Sequence, residues 1–432
     1  MRRTLLFLLT APLLAGCPAQ GQGGGQEGQN QPSPNASILP APLASATEPS
    51  AAQKPDAARG GIPADSAGRL MVPEAGPPDP TPFRDDEALP RDTISAKDGL
   101  GVTLDASFKW LDLPGPNAVP ELSNDALKKA REKTALKLTI DLAPAGRMRF
   151  ALASASFPLP QGAELRAMSE HYGHVLVWPN GNAYRVVRAG MLRALLSERR
   201  ADALPVSRVN ADLKGKGKFL GLETTKLEVK SPVGELSLES ANVPNLGRAG
   251  ELLCRLLLDL VAVDPGSSVC ADAFVPLRAE LRWPKGGKLS FEVAALARKP
   301  ELPFGNLFVP PAGAELRAGE LPPQAAGVLF TRDDLAGFHS KPGAVDPPAK
   351  DAPGEGLVAV NRTDSVRYVL VDGVPVAWVR PQSEVLLLGL LPGRYSVSWR
   401  DFLGGQIEPP KIVSIPARVV AGAEPDAGAP PP

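Results

Sequence analysis

The sequence predicts an α+β protein: an internally duplicated β-hairpin and helix domain, then a small all-β sandwich, with a long disordered tether before both. Three observations carry this. First, Phe157-Pro158-Leu159-Pro160-Gln161-Gly162-Ala163-Glu164-Leu165-Arg166-Ala167 returns as Phe308-Val309-Pro310-Pro311-Ala312-Gly313-Ala314-Glu315-Leu316-Arg317-Ala318. Its flank returns too: residues 136–153 lie on 277–294 without a gap, with Ile140 on Leu281, Gly146 on Gly287 and Phe150 on Phe291. A pattern that recurs with its surroundings marks a duplicated unit. Second, stretches of alternating apolar residues are interleaved with helical stretches between residues 98 and 340. Third, beyond a Pro-, Gly- and Asp-rich stretch at 341–355, short strands follow one another at turn-bounded spacing.

Composition narrows the function. Lys and Arg total 47 and so do Asp and Glu, which leaves no net charge. No broad basic field invites nucleic acid, and no acidic surplus marks a solvating tail. A length of 432 residues allows two or three domains, while 48 prolines and 42 glycines imply that much of the chain is linker.

The amino end reads as an export signal. Arg2 and Arg3 give a positive start, residues 5–14 a short apolar run, and Leu14-Ala15-Gly16-Cys17 follows. The run is too short for a stable transmembrane span. This arrangement resembles the lipobox of bacterial lipoproteins. That resemblance implies removal of residues 1–16 and a diacylglyceryl group on Cys17 Sγ. Acyl chains such as palmitate would then hold the protein in the cell envelope, at the outer membrane or its periplasmic face. A cleaved signal peptide without lipid is the alternative, and Arg2-Arg3 also fits loosely a twin-arginine signal. Residues 17–97 are too poor in bulky apolar side chains to order themselves, and they read as a lipid-anchored tether. About 80 such residues have a coil dimension of roughly 50 Å, so the folded part would stand off the membrane and its target would not be the lipid surface itself; a purely passive linker is the equal alternative. The charged stretch at 83–91 could be a short docked segment.

Order begins near Leu100. Val102, Leu104, Ala106, Phe108 and Trp110 alternate with polar residues as in a half-buried strand. After Pro114-Gly115-Pro116, Ser123 or Asn124 caps a helix through Lys133, whose lysines read as a solvated face. The first repeat unit, about 123–199, then offers a hairpin that turns at Pro144-Ala145-Gly146, another around Pro179-Asn180-Gly181, and a helix with Met191, Leu192, Leu195 and Leu196. A further hairpin turns at Pro232-Val233-Gly234. Residues 250–263 form the most apolar helix of the chain, apolar on nearly every side and therefore buried. The second repeat unit runs from about 250 to 335.

Cys254 and Cys270 are the cysteines left after Cys17. In an oxidising compartment a disulfide is the expectation; two buried free thiols are the alternative. A bridge would fasten the middle of the apolar helix to the loop after it.

Residues 356–420 read as a β-sandwich, with turns at Asp372-Gly373, Pro392-Gly393 and Gly404-Gly405. Val371-Asp372-Gly373, Pro381 and Leu391-Pro392-Gly393-Arg394-Tyr395-Ser396-Val397 resemble the PEGA family of small extracytoplasmic β-domains over about 60 residues, although the four-residue motif that names the family is missing. The resemblance implies adhesion or scaffolding rather than catalysis. Residues 421–432, Ala, Gly and Pro, read as a disordered tail.

The sequence carries no recognised catalytic constellation. Glu170-His171-Tyr172-Gly173-His174 places its histidines three apart, not the four that a helical zinc site needs, and the other histidine is His339. Exposed turn histidines are the expectation. Gly215, Gly217 and Gly221 lack the Gly-Lys-Ser/Thr of a phosphate loop. The repeated Glu164 and Glu315, with Arg166 and Arg317, could face each other as an acid and base pair. The simpler reading is a solvent-side ion pair in each copy, with Leu165 and Leu316 in the core. The expectation is therefore no catalytic residue, no metal and no cofactor, with Cys17 as lipidation site and Cys254–Cys270 as disulfide. The expected function is a lipid-anchored binding or scaffold protein that meets an envelope protein or polymer and no nucleic acid. A carrier for an apolar ligand, lidded by the helix at 250–263, and an envelope hydrolase are the alternatives.

Overall fold

The computed structural model describes Thr81, Pro82 and residues 101–422, apart from 114–123, 145, 155–157, 170, 173, 189, 198–205, 245, 247, 265–266, 271–273, 285–286, 300–309, 324–326, 339 and 407. Cys17, the tether at 17–97 (but for Thr81 and Pro82), His339 and residues 423–432 lie outside the described residues.

In chain order the elements are β1 (Thr81–Pro82), β2 (Gly101–Trp110), α1 (Asn124–Thr134), β3 (Leu136–Ala143), β4 (Arg147–Leu152), β5 (Glu164–Met168), β6 (His171–Tyr172), β7 (His174–Val177), β8 (Ala183–Val187), α2 (Met191–Ser197), β9 (Asp212–Phe219), β10 (Leu222–Lys230), β11 (Glu235–Asn242), α3 (Ala249–Asp259), β12 (Phe274–Arg282), β13 (Lys288–Lys299) and β14 (Glu315–Leu316). Then come β15 (Gly327–Val328), α4 (Arg332–Ala336), β16 (Leu357–Asn361), β17 (Arg367–Val371), β18 (Val374–Val379), β19 (Ser383–Leu387), β20 (Gly393–Arg400), β21 (Lys411–Ile415) and β22 (Ala417–Ala421). Among the described residues strand accounts for 49 % and helix for 11 %.

The expected α+β class with a duplicated hairpin and helix domain is therefore wrong. A single twelve-stranded sheet, ordered β14-β8-β7-β5-β4-β3-β2-β13-β12-β11-β10-β9, takes in both supposed repeat units. The cause is β2, which pairs with β3 on one side and β13 on the other and so welds the two halves into one sheet. Its alternation makes this possible: Leu104 meets Ile140 and Leu296, Phe108 meets Leu136 and Phe291, and the apolar residues share one face.

The duplication fails in two further details. Ile140 pairs with Phe150, whereas Leu281, its supposed counterpart, pairs with Leu289, two residues out of equivalence. The strand after each hairpin also differs. β5 adds to β4, but β14 runs to the far edge of the sheet and lies parallel to β8. What the two copies do share is local. Ala163 N–H donates to Pro160 O and Ala314 N–H to Pro311 O, and Gly162 and Gly313 both sit at φ +82°. The likeness is that of a turn, which sequence repeats as readily as a domain.

One face of the large sheet is apolar and is covered by helices. Along α3, Leu252, Leu253, Leu256, Leu257 and Leu258 are all buried, and the helix packs on β12, β4 and β3. Gly250 allows this approach, since a Cβ there would lie 2.5 Å from Phe274 O. Cys254 and Cys270 are joined in a disulfide, with Cα atoms 5.8 Å apart. Among the described residues no helix is long and apolar enough to cross a membrane.

Residues 327–421 build two smaller sheets, β15-β18-β17-β20-β21 and β19-β16-β22. Asn361 holds them in place from a fully buried position: its Nδ2 donates to the carbonyls of Ser365, Val379 and Arg380, and its Oδ1 accepts from Thr363 N–H and Oγ1. Every polar atom of that side chain is thus satisfied, as burial requires. One continuous hydrophobic cluster runs from Val102 to Ala421 through both regions. Where they meet, Trp110 stands edge-on to Tyr368 at 4.9 Å and donates from Nε1 to Phe402 O. Arg400 lies over the Trp110 ring at 4.3 Å and pairs with Asp112 at 2.8 Å.

Candidate functional site

The strongest chemical candidate in the sequence, Glu164 with Arg166, sits in an ionic ladder on the second face of the large sheet. Antiparallel register puts Thr103 beside Asp141, Asp141 beside Arg149 and Arg149 beside Arg166. Because side chains alternate, Leu104, Ile140, Phe150 and Leu165 fill the opposite, apolar face. Thr103 Oγ1 donates to Asp141 Oδ1 at 2.7 Å, Arg149 reaches both Asp141 and Glu164, and Arg166 grips Glu164 Oε2 through Nε and Nη2. The Glu164 side chain is 14 % exposed and that of Arg166 8 %, so the expected solvent-side pair is instead largely buried. Burial opposes ionisation of Glu164, but the hydrogen bonds and charges of Arg149 and Arg166 outweigh it and hold the carboxyl below its ordinary value. Both oxygens of that carboxylate are occupied by guanidinium groups. It has no proton to give, and its lone pairs are engaged.

Glu315 is elsewhere. It pairs with Ala183 at the sheet edge, and its neighbour Leu316 packs with Val175, Val177, Tyr184 and Val186 on the face that carries Glu164. Glu315 therefore projects to the opposite face, and Leu316 does not enter the main core as expected. With β7 and β8 between them, β5 and β14 are about 14 Å apart at ordinary strand spacing. Glu315 meets Arg317 at 2.8 Å, in the open. Two carboxylates on opposite faces cannot share a substrate as acid and base.

The histidines divide. His174 is buried at the start of β7, where burial lowers its pKa to about 4 and keeps it neutral. The expected exposed turn histidine is thus a buried one. His171 pairs through its backbone with Thr81 in β1. Among the described residues no group of three or more His, Cys, Asp or Glu is placed to hold a metal ion. Gly217, on β9, makes room for packing, since a Cβ there would lie 2.9 Å from Thr224 Oγ1, Lys226 Cε and Glu239 Oε1. Lys129 and Lys133, read as a solvated face of α1, both bind Asp334 on α4, at 2.9 and 3.0 Å.

Sequence reasoning passed over Asp259. It closes α3 from a buried position, accepts the N–H of Leu192 at 3.2 Å and so caps α2, and burial pushes its carboxyl up to about 7. The signal was present as the acid inside Leu257-Leu258-Asp259-Leu260, an otherwise apolar run.

No protein-family model and no curated protein matches the chain. Solved structures similar to parts of it include PNGF-II, at 10 % identity and TM-score 0.28 over 50 % of this chain, which covers 31 % of that one. A putative outer membrane lipoprotein-sorting protein domain from Vibrio parahaemolyticus aligns at 9 % identity and TM-score 0.23, over 47 % of this chain and 87 % of that one. The MucA/MucB complex of Pseudomonas aeruginosa aligns at 13 % identity and TM-score 0.23, over 55 % and 62 %. At these scores the likenesses carry no functional inference.

Proposed function

We propose that this chain is a lipid-anchored, extracytoplasmic binding or scaffold protein of the cell envelope. In this reading residues 1–16 are a signal peptide, acyl chains on Cys17 hold it in the membrane, and residues 17–97 tether the folded part. It acts by binding an envelope protein or polymer, with the PEGA-like stretch at 356–420 as an accessory module. The supporting observation is the ladder: Glu164, the best catalytic candidate, is neutralised by Arg149 and Arg166 and lies on the opposite face from Glu315. That leaves recognition by surface, presented on two sheet regions that share one core. Cross-linking of the intact protein in its own cells should recover a second envelope component; recovery of nothing but this chain overturns the scaffold reading.

A second reading, a carrier of an apolar ligand, is favoured by α3, whose apolar side chains cover the apolar face of the large sheet in the position of a lid. Native mass spectrometry of the purified protein would then show co-purifying lipid, and a mass equal to that of the bare acylated chain counts against it.

A further inference from the structure

The β9–β10 hairpin ends the twelve-stranded sheet, with β9 as its edge strand. Phe219 and Leu222 pair across a two-residue turn, in which Leu220 has φ +50° and Gly221 φ +78°. Positive φ at both central residues is the type I′ turn, which favours Asn-Gly or Asp-Gly because bulky side chains fit the left-handed region badly. The protein follows that preference in its other such turn, Asp372-Gly373, at φ +49° and +78° between Val371 and Val374. At Leu220 it does the reverse. The leucine is 42 % exposed, so it is strained without repayment from the core. Leu213, 69 % exposed, lies at the opposite end of β9 and is not part of this tip. A local rule broken without gain to the fold points to use of Leu220.

Lysines outnumber carboxylates behind the tip, although Glu223 lies opposite Lys218 in the register. Lys214, Lys216, Lys218, Lys226 and Lys230 face Asp212, Glu223 and Glu228 along the hairpin, in a chain of zero net charge. Lys214 is held by Glu228 at 2.8 Å, and Lys230 lies 3.5 Å from Glu235, whereas Lys216 and Lys218 stand exposed along β9. Phe219 is fixed under the Arg278 guanidinium at 3.8 Å, which braces the turn from behind.

We infer that this hairpin is a membrane-contact element: Leu220 enters the interface of an anionic bilayer, and Lys216 and Lys218 meet its phosphates. An apolar tip with a basic collar matches the layering of such a surface, acyl chains within and negative headgroups outside. A protein partner adding a strand is disfavoured, because charged lysines along an edge strand block that pairing. Such contact runs against the expectation, drawn from the tether's length, that the folded part does not target the lipid surface. The tether, long enough to stand off, also allows the hairpin to fold back onto the leaflet.

The test uses the chain without residues 1–17, so that neither the apolar run at 5–14 nor the proposed lipidation contributes to its outcome. Co-sedimentation is measured with vesicles of phosphatidylglycerol and phosphatidylethanolamine, and with vesicles of phosphatidylcholine alone. Binding is expected to the anionic vesicles and to weaken as salt rises. Leu220→Asn should reduce it by about tenfold, with the thermal midpoint unchanged or higher because Asn suits the turn. Lys216→Gln with Lys218→Gln should reduce binding by roughly 25-fold, about fivefold for each lysine near an anionic surface. Absence of binding to either vesicle, equal binding to both, or wild-type binding by Leu220→Asn overturns the inference.

Discussion

Asp259 and His174 are buried side chains that titrate in opposite senses. Burial raises the folded-state value of Asp259 from 3.8 to about 7, so between those values the folded protein holds a proton that the unfolded chain has released. Its contribution to stability is therefore lost as pH rises through that window. Burial lowers His174 from 6.5 to about 4, so its contribution is lost as pH falls from 6.5 towards 4. The two slopes oppose each other in the shared window. Asp259→Asn keeps an oxygen for the Leu192 N–H and removes one of them. Urea denaturation across pH 4 to 7 should then show stability rising with pH in the variant, more steeply than in the wild type. Parallel curves would mean that Asp259 titrates alike in the folded and unfolded states.

At the scale of elements, α3 is held by packing and by one covalent tie. The disulfide spans a sequence separation of 16, for which chain entropy gives about 3 kcal/mol. Replacing both Cys254 and Cys270 by Ala should lower unfolding stability by about that amount, and hydrogen exchange should speed first in α3. Unchanged exchange in α3 would show that its leucines suffice. Hairpins such as β3–β4 and β7–β8 were legible because alternation and turn residues are local signals. The partners of β2 were not, since nothing within residues 101–110 names β13 as a neighbour. The repeated Gly-Ala-Glu-Leu-Arg-Ala misled for the same reason: it encodes a turn and an ion pair, and both recur, but the surrounding strands decide where each copy goes. β22, parallel to β16, also escaped, because a short Ala-Arg-Val-Val-Ala run after Pro416 lacks clean alternation.

For the whole molecule, the junction of the large and small sheets is the point of greatest leverage. Gly287 comes so close to Leu403 that a Cβ would lie 1.8 Å from its carbonyl oxygen, and Trp110 fills the adjacent space. Trp110→Ala removes that ring and leaves Arg400 without its aromatic face, at a cost of about 3–5 kcal/mol. Calorimetry should show one melting transition in the wild type, as its single core implies, and two in the variant. A single, merely lowered transition would mean that the small sheets cannot stand apart from the large one.

The central place of β2 also bears on how the protein is made. Gly101 pairs with Lys299, and Trp110 with Leu289, so the first strand of the large sheet must wait for one of the last before its second edge is covered. If the chain is exported amino end first, as the proposed function requires, β2 and β3 would emerge with an unpaired strand edge while β13 was still on the near side of the membrane. Folding cannot finish strand by strand behind the translocating end. On that proposal the half-built sheet would be the species that needs shielding, and its persistence would be set by the delivery of residues 288–299.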